Sequence, residues 1–360
     1  MRVTIHVLRQ VDVGDSVDVE KVAKILESRE PKRGTTILRG PDRSAAAGVV
    51  LRREPLDVNL GRVDVGSFPT EVRARIFDFG AIAIRFSIEV DDPTPAALIE
   101  IASRLPAESA AFDEQARKQW AQLAAQIRDA VVPWEEKPPT DLIEDFTVFV
   151  LPCELSHPLC SEKVLAHVLL GEPETRKLAA STVQDLTRRT IRYYDDDLVL
   201  VDYDAAIIVD KEDPTDLVDI FEIATAQLLE LRFYDAMLSR SMERLLGDVR
   251  HARTTTWLVR SPFRQLARRA AILALELGEM TDRLERAITL VGDTYSVMIY
   301  REATVRFRLA ETRTSVREKV SIIDRLSEAL GYEIHARRDL VLETLVVFLI
   351  AIEIVIAFRH

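Results

Sequence analysis

The sequence predicts an α+β protein: two tandem β-α-β-β-α units, then a region of long, coiled-coil-like helices and a C-terminal hydrophobic helix. Three observations carry that reading. Phe77-Asp78-Phe79-Gly80-Ala81-Ile82-Ala83-Ile84, followed by Asp92-Pro93-Thr94, reads like Val201-Asp202-Tyr203-Asp204-Ala205-Ala206-Ile207-Ile208, followed by Asp213-Pro214-Thr215. Strand periodicity disappears after Thr215 and heptad spacing replaces it. The chain then closes on an apolar run, Leu340 to Phe358, interrupted only by Glu343 and Glu353.

Residues 2 to 9 alternate as a strand, residues 16 to 28 carry helical spacing, and a strand-rich stretch leads to the phrase at Phe77. In each copy Asp-Pro-Thr ends a strand and starts a helix, because proline fixes φ and lacks a donor that a first helical turn leaves unpaired. The second copy repeats the order, with a strand at 143 to 151 and a helix at 159 to 170. Units of this kind predict antiparallel sheets with helices on one face, two such sheets packing as a pseudo-dimer. Three prolines in Val131 to Thr140 make a stiff boundary between the copies. The expected divisions are therefore residues 1–132, a linker at 133–140, a second repeat at 141–246, a helical region at 247–339 and a last helix at 340–358.

From Ile288 to Leu330, Ile288, Val291, Tyr295, Met298, Val305, Leu309, Val316, Ile323, Leu326 and Leu330 recur at steps of three and four, with Glu302, Thr312 and Lys319 as polar interruptions. Such a heptad predicts a long helix zipped against a partner helix of this chain or of a second copy. Gly331-Tyr332 then marks either a hairpin turn or a point through which the helix continues. Nineteen helical residues from Leu340 span roughly 28 Å, close to the hydrocarbon thickness of a bilayer. Fourteen of them are Leu, Ile, Val or Phe. Their transfer outweighs two off-centre carboxylates, which predicts a single C-terminal membrane span with most of the chain cytoplasmic. The alternative is a helix buried on all sides in an oligomer.

Within that run Leu342-Glu343 and Ile352-Glu353 bracket the apolar block. With Leu290-Val291-Gly292-Asp293-Thr294-Tyr295 and Leu200-Val201-Asp202-Tyr203-Asp204 upstream, residues 190 to 358 resemble the RMD (required for meiotic nuclear division) family. Asp204 departs from the glycine that follows the strand tyrosine in that family. The resemblance implies a membrane-bound protein held by its last helix, with a protein or ribosome-related partner. The first 140 residues resemble nothing nameable.

Composition bounds the function. The 360 residues are 48% hydrophobic and carry a net charge of −11, enough apolar material for packed units but no uniform basic character. Two cysteines make no disulfide framework, and the first residues lack a signal-peptide pattern. Phosphate-cradling glycine loops, nucleophile elbows and His-Glu-x-x-His are absent, so no enzyme class is indicated and no cofactor is expected. Cys153, His157 and Cys160 offer three soft ligands and lack a fourth for a closed zinc site. Asp195, Asp196, Asp197, Asp202 and Asp204 cluster around a strand, which reads as a wet face or, alternatively, as a magnesium site for phosphoryl chemistry. Arg250, Arg253, Trp257, Arg260, Arg264, Arg268 and Arg269 lie in a stretch without an acidic residue from Arg250 to Arg269, a candidate surface for a protein, lipid headgroups or RNA. Glu343 and Glu353, roughly 280° apart around a helix, are candidate anchor or oligomer contacts. Together these predict a non-enzymatic, membrane-anchored scaffold that self-associates through its C-terminal helices.

Overall fold

The computed structural model describes residues 1–28, 36–37, 49–51, 54–134, 142–188, 190–211, 214–254, 268, 288–290 and 294–357. Its class is α+β, with a large mixed sheet followed by long helices. The strands are β1 (Arg2–Asp12), β2 (Ser16–Val17), β3 (Thr36–Ile37), β4 (Val49–Leu51), β5 (Leu56–Val65), β6 (Phe68–Ile76), β7 (Ala81–Asp91), β8 (Val131–Val132), β9 (Ile143–Leu151), β10 (Leu198–Val201), β11 (Ala205–Val209) and β12 (Ile288–Leu290). The helices are α1 (Val19–Ser28), α2 (Pro95–Arg104), α3 (Ser109–Ile127), α4 (Glu162–Leu170), α5 (Ala180–Thr187), α6 (Thr215–Thr254), α7 (Thr294–Arg306) and α8 (Leu309–Ala357). Contacts divide the chain into two units, Met1–Phe233 with Arg283–Thr312 and Tyr234–Asp282 with Arg313–His360, and the boundaries after Phe233 and Thr312 fall inside long helices.

In the first unit one sheet runs β10-β11-β9-β1-β7-β6-β5-β3. The two halves thus share a sheet, joined edge to edge by the antiparallel pairing of β1 with β9 from Thr4↔Val150 to Val11↔Ile143. Their likeness is one of element order: β7 runs antiparallel to β1, whereas β11 runs parallel to β9. Helices cover both faces. Alternation sends Val3, Ile5 and Val7 to one face, against Leu98, Phe112, Leu123 and Leu165 of α2, α3 and α4. It sends Leu8, Phe146, Val148 and Ile208 to the other, against Phe221, Ala224 and Leu228 of α6 and Ile299 of α7. Phe146 stacks on Phe221 at 5.3 Å and meets Phe307 edge-on at 5.0 Å. Each fully buried Phe or Leu of this kind contributes about 1.5–3 kcal/mol. Central strands that are apolar on both sides need cover on both sides, which explains the departure from a one-faced arrangement.

Local signals explain the joints. Thr94 caps α2 by accepting from the Ala97 amide at 3.2 Å, and Pro95, the residue after the repeated phrase, takes the first helical position. The turn before β7 requires glycine: Gly80 has φ +106°, and a Cβ there would lie 2.0 Å from the Gly14 carbonyl oxygen. Just beyond Gly14, β2 pairs antiparallel with β8.

The heptad stretch is not one helix. Ile288 to Leu290 form a strand with β4, and Arg308, with φ +53°, separates α7 from α8. Met298 and Val305 are exposed, whereas Val316 and Ile323 are buried. In the second unit the pairing is within one chain: Lys319 Nζ donates to Asp235 Oδ1 at 2.6 Å and to Ser239 Oγ at 2.8 Å, and Ser315 Oγ donates to Asp235 Oδ1 at 2.8 Å. Lys319, a polar interruption of the heptad, joins the two helices together with Ser315.

The C-terminal run requires a correction. Among the described residues no helix is long and apolar enough to cross a membrane. Leu340 to Ala357 form the end of α8, which passes through Gly331 without a break and carries charged turns upstream. Inside the run Glu343 is exposed, and a second carboxylate follows ten residues later; two such groups offset much of the apolar transfer. The expected membrane span, membrane localisation and lipid partner through Leu340–Phe358 are therefore not supported. Val346, Val347, Leu349 and Ile350 are exposed on this turn of helix.

Candidate functional site

On the α2–α4 face of the sheet a cavity of about 230 Å³ opens between the two halves of the first unit. Its floor is β1 and β9. Val7 and Arg9 alternate onto it from β1, and Asp145, Thr147 and Phe149 do so from β9, with Arg9 directly opposite Asp145 in the register. Leu105, Pro106 and Phe112 form one wall, and Val168, Leu169 and Gly171 at the end of α4 form the other. Gly171, at φ +61°, ends α4 in the left-handed conformation and brings backbone to the cavity edge. Asp204 and Ala205 complete the rim at the start of β11, where the Asp204 carbonyl accepts from the Thr147 amide at 3.0 Å.

The charges in this cleft are unevenly satisfied. Arg9 is buried at 3% exposure, and its guanidinium donates to Asp113 Oδ1 at 2.6 Å, Ser109 Oγ at 2.9 Å and the Leu8 carbonyl at 3.0 Å. Its charge is thereby matched by Asp113. Asp145 and Asp204 make no ion pair among the described residues. Desolvation raises the Asp204 carboxyl above its ordinary range, and Asp202 and Asp145 nearby raise it further. A cleft of mixed polar and apolar lining with two exposed carboxylates at its rim is electrostatically complementary to a small organic cation.

The opposite face holds a second set of buried charges, which the strand alternation alone does not reveal. Arg85 donates to Asp219 at 2.5 Å and to both carboxylate oxygens of Glu222, while Arg75 reaches Asp57 at 2.6 Å, Asp219 at 2.9 Å and Glu222 at 3.0 Å. Burial alone would lower both arginines, but Glu222 and Asp219 outweigh it and raise them. Gln10 extends the network through Thr225 Oγ1 at 2.7 Å. Its charged members satisfy one another and pin α6 to the sheet, a structural role, while the Gln10 Oε1 stays buried without a hydrogen-bond partner. Glu144 does likewise with Arg232, which also donates to the Tyr203 hydroxyl at 2.6 Å.

The sequence-nominated aspartates do not converge. Asp197 is buried and accepts from the Tyr193 and Tyr194 amides at 2.8 and 3.1 Å, which fixes a turn. Asp196 faces Lys211 at 3.5 Å, and of the cluster Asp204 alone lines the cleft. Among the described residues no group of three His, Cys, Asp or Glu side chains is placed to hold a metal ion. His157 is engaged locally, its Nδ1 accepting from the Leu159 amide at 3.3 Å, and makes no zinc arrangement with Cys153 and Cys160. Arg250 and Arg253 fall in the last turns of α6 and Arg268 is exposed; Trp257, Arg260, Arg264 and Arg269 lie outside the described residues, as do the side chains of Arg250, Arg253 and Glu353. The signal for the cleft was present in the alternation that places Asp145 and Thr147 on one face, but Asp145 and Arg9 are far apart in the chain.

Fold and cleft define an α+β protein with a cavity of about 230 Å³ on one face of a mixed sheet. The chain belongs to the family described as "Uncharacterized protein MJ0711, N-terminal domain", which it matches over residues 2–215. It is 26% identical over 200 residues to the uncharacterized protein MJ0711 of Methanocaldococcus jannaschii, covering 55% of this chain and 59% of that one. The chain thus spans about three-fifths of the length of that relative. No solved structure matches. The matched family covers the region that resembled nothing nameable, and these matches contain no RMD member, which leaves the membrane role implied by that resemblance without support.

Proposed function

We propose that this protein is a non-enzymatic binding scaffold whose α+β body captures a small organic cation in the cleft between its two halves. One observation carries the reading: Asp145 and Asp204 line an apolar-walled cavity without a cation partner among the described residues, while the nearby Arg9 is already neutralised by Asp113. A primary amine or guanidinium on a short alkyl chain matches both the charge and the size. The apolar walls of Leu105, Phe112, Phe149 and Val168 would take the chain, and the two carboxylates would take the head.

The test is calorimetric titration of the purified chain with agmatine, using butanol as the uncharged control. Agmatine is expected to bind and butanol to give no heat. Asp145→Asn and Asp204→Asn should each weaken agmatine by about tenfold to a hundredfold, the range set by a lost charge-assisted hydrogen bond of about 1.5–3 kcal/mol. Equal affinity in wild type and both variants would overturn the proposal.

A further inference from the structure

Cys153 and Cys160 stand apart from everything described so far. Their Sγ atoms are 3.2 Å apart and unbonded, with Cys153 buried and Cys160 partly open. The segment between them is held by its own backbone. The Cys153 amide donates to the Leu151 carbonyl at 2.9 Å, His157 to Glu154 at 2.9 Å and Cys160 to His157 at 2.9 Å, after which Pro158–Cys160 makes a single 3-10 turn. Leu159 is fully buried beneath this turn and anchors it to the core. Two thiols are therefore kept in contact by a folded loop, not brought together by chance in a flexible one. The remainder of the loop is locally closed already, so the entropy of joining its ends has been met by folding.

We propose that Cys153 and Cys160 are a reversible redox pair, a modification site that closes to an intrachain disulfide when the chain meets a peroxide. The hydrogen bond from Cys160 lowers the Cys153 thiol and raises the Cys160 thiol, so Cys153 is the one that ionises first. In the first step the Cys153 thiolate attacks one oxygen of hydrogen peroxide, the O–O bond breaks, and the departing hydroxide takes from solvent the proton that Cys153 released on ionising, to become water. Cys153 is then a sulfenic acid. Cys160 Sγ attacks Cys153 Sγ, the S–O bond breaks, and hydroxide leaves with the proton from Cys160 as a second water. Two thiols are oxidised and one peroxide is reduced, so atoms and electrons balance. The product ties the chain two residues past the end of β9 to the chain two residues before α4, the helix whose far end walls the cleft. The site does not depend on the cleft binding a cation.

The test treats the full chain with a modest excess of hydrogen peroxide, alkylates free thiols, and maps the digest by mass spectrometry. A peptide cross-linked between Cys153 and Cys160, lost on treatment with dithiothreitol, is expected to dominate. Cys160→Ser should instead trap Cys153 as sulfenic acid, detectable with dimedone, and Cys153→Ser should leave Cys160 alkylated as a free thiol. These variants retain the fold if their far-UV circular dichroism and unfolding midpoint stay within the range of the wild type. Full alkylation of both cysteines in the peroxide-treated wild type, or oxidation that reaches sulfinic acid at Cys153 without the cross-link, would overturn the proposal.

Discussion

Arg85 concentrates the energetic risk of this fold in a single side chain. It is buried at 6% exposure between Glu222 and Asp219, both of which also contact Arg75. Removing one partner of a buried ion cluster leaves charge without solvent or counterion, and that penalty exceeds the worth of the pair itself. Arg85→Ala should therefore destabilise the chain by about 3–5 kcal/mol in urea unfolding, whereas Arg73→Ala, an exposed pair with Glu71, should cost about 0–1 kcal/mol. Equal small losses in both variants would contradict this assignment. Two other residues set the response to pH. Burial, with repulsion from Asp15 and against the pull of the Gly14 and Val13 amides, raises Asp12 from 3.8 to about 8. Burial, with Arg85, lowers His6 from 6.5 to about 3. The folded state thus holds more protons than the unfolded one at Asp12 between about pH 4 and 8, so stability falls as pH rises there. At His6 it holds fewer between about pH 3 and 6.5, so stability rises with pH over that interval. The two slopes oppose one another below pH 6.5, and of this pair only Asp12 titrates above it. Unfolding free energy should decline from about pH 6.5 to 8, and Asp12→Asn should flatten that decline.

At the scale of elements, periodicity identified strands and helices well where one face met a core and poorly where polar residues were used indoors. β1, β9, α1 and α4 fall within a few residues of the expected positions because their alternation and capping are local. Arg75 and Arg85 escaped notice because a strand face directed at water and one directed at an acidic helix have the same polar spacing. The cleft was only partly legible for a related reason: its charged residues Arg9, Asp145 and Asp204 come from three segments, and sequence does not pair β1 with β9. The heptad was legible as helix from Thr294 on, but the strand at Ile288 to Leu290 and the break were not, since Arg308 offers none of the usual signals of a glycine stop. That residue follows the end of α7 with φ +53° and donates its amide to the Val305 carbonyl at 3.1 Å. A non-glycine residue in this conformation costs about 1–2 kcal/mol, part of which glycine returns as extra freedom in the unfolded chain. Arg308→Gly should raise stability by about 0.5–1 kcal/mol, and Arg308→Val should lower it, both measured by thermal unfolding.

At the scale of the molecule, the family match ends at residue 215, where α6 begins. The core does not end there. Leu8, Phe146, Val148, Val199 and Ile208 are buried with Phe221, Ala224, Leu228 and Leu229 of α6. A fragment stopped after Pro214 would present one whole face of its central strands to water, a patch well beyond what monomeric domains expose. It should bind a hydrophobic dye strongly and unfold without a cooperative transition, while the full chain shows neither behaviour; a fragment with sharp two-state unfolding would show that the helix is dispensable.

The joining of β1 to β9 has a consequence for synthesis on the ribosome. β1 can dock on β7 once Asp91 has emerged, but its second edge has no partner until β9 is complete at Leu151. Roughly sixty residues separate these events, which at typical elongation rates is about 3–12 s. Throughout that interval the nascent chain carries a long strand with unpaired amides and carbonyls and with Val3, Ile5 and Val7 beside them. The middle of the finished sheet is therefore the edge of the unfinished one, and nascent chains on neighbouring ribosomes compete with β9 for it.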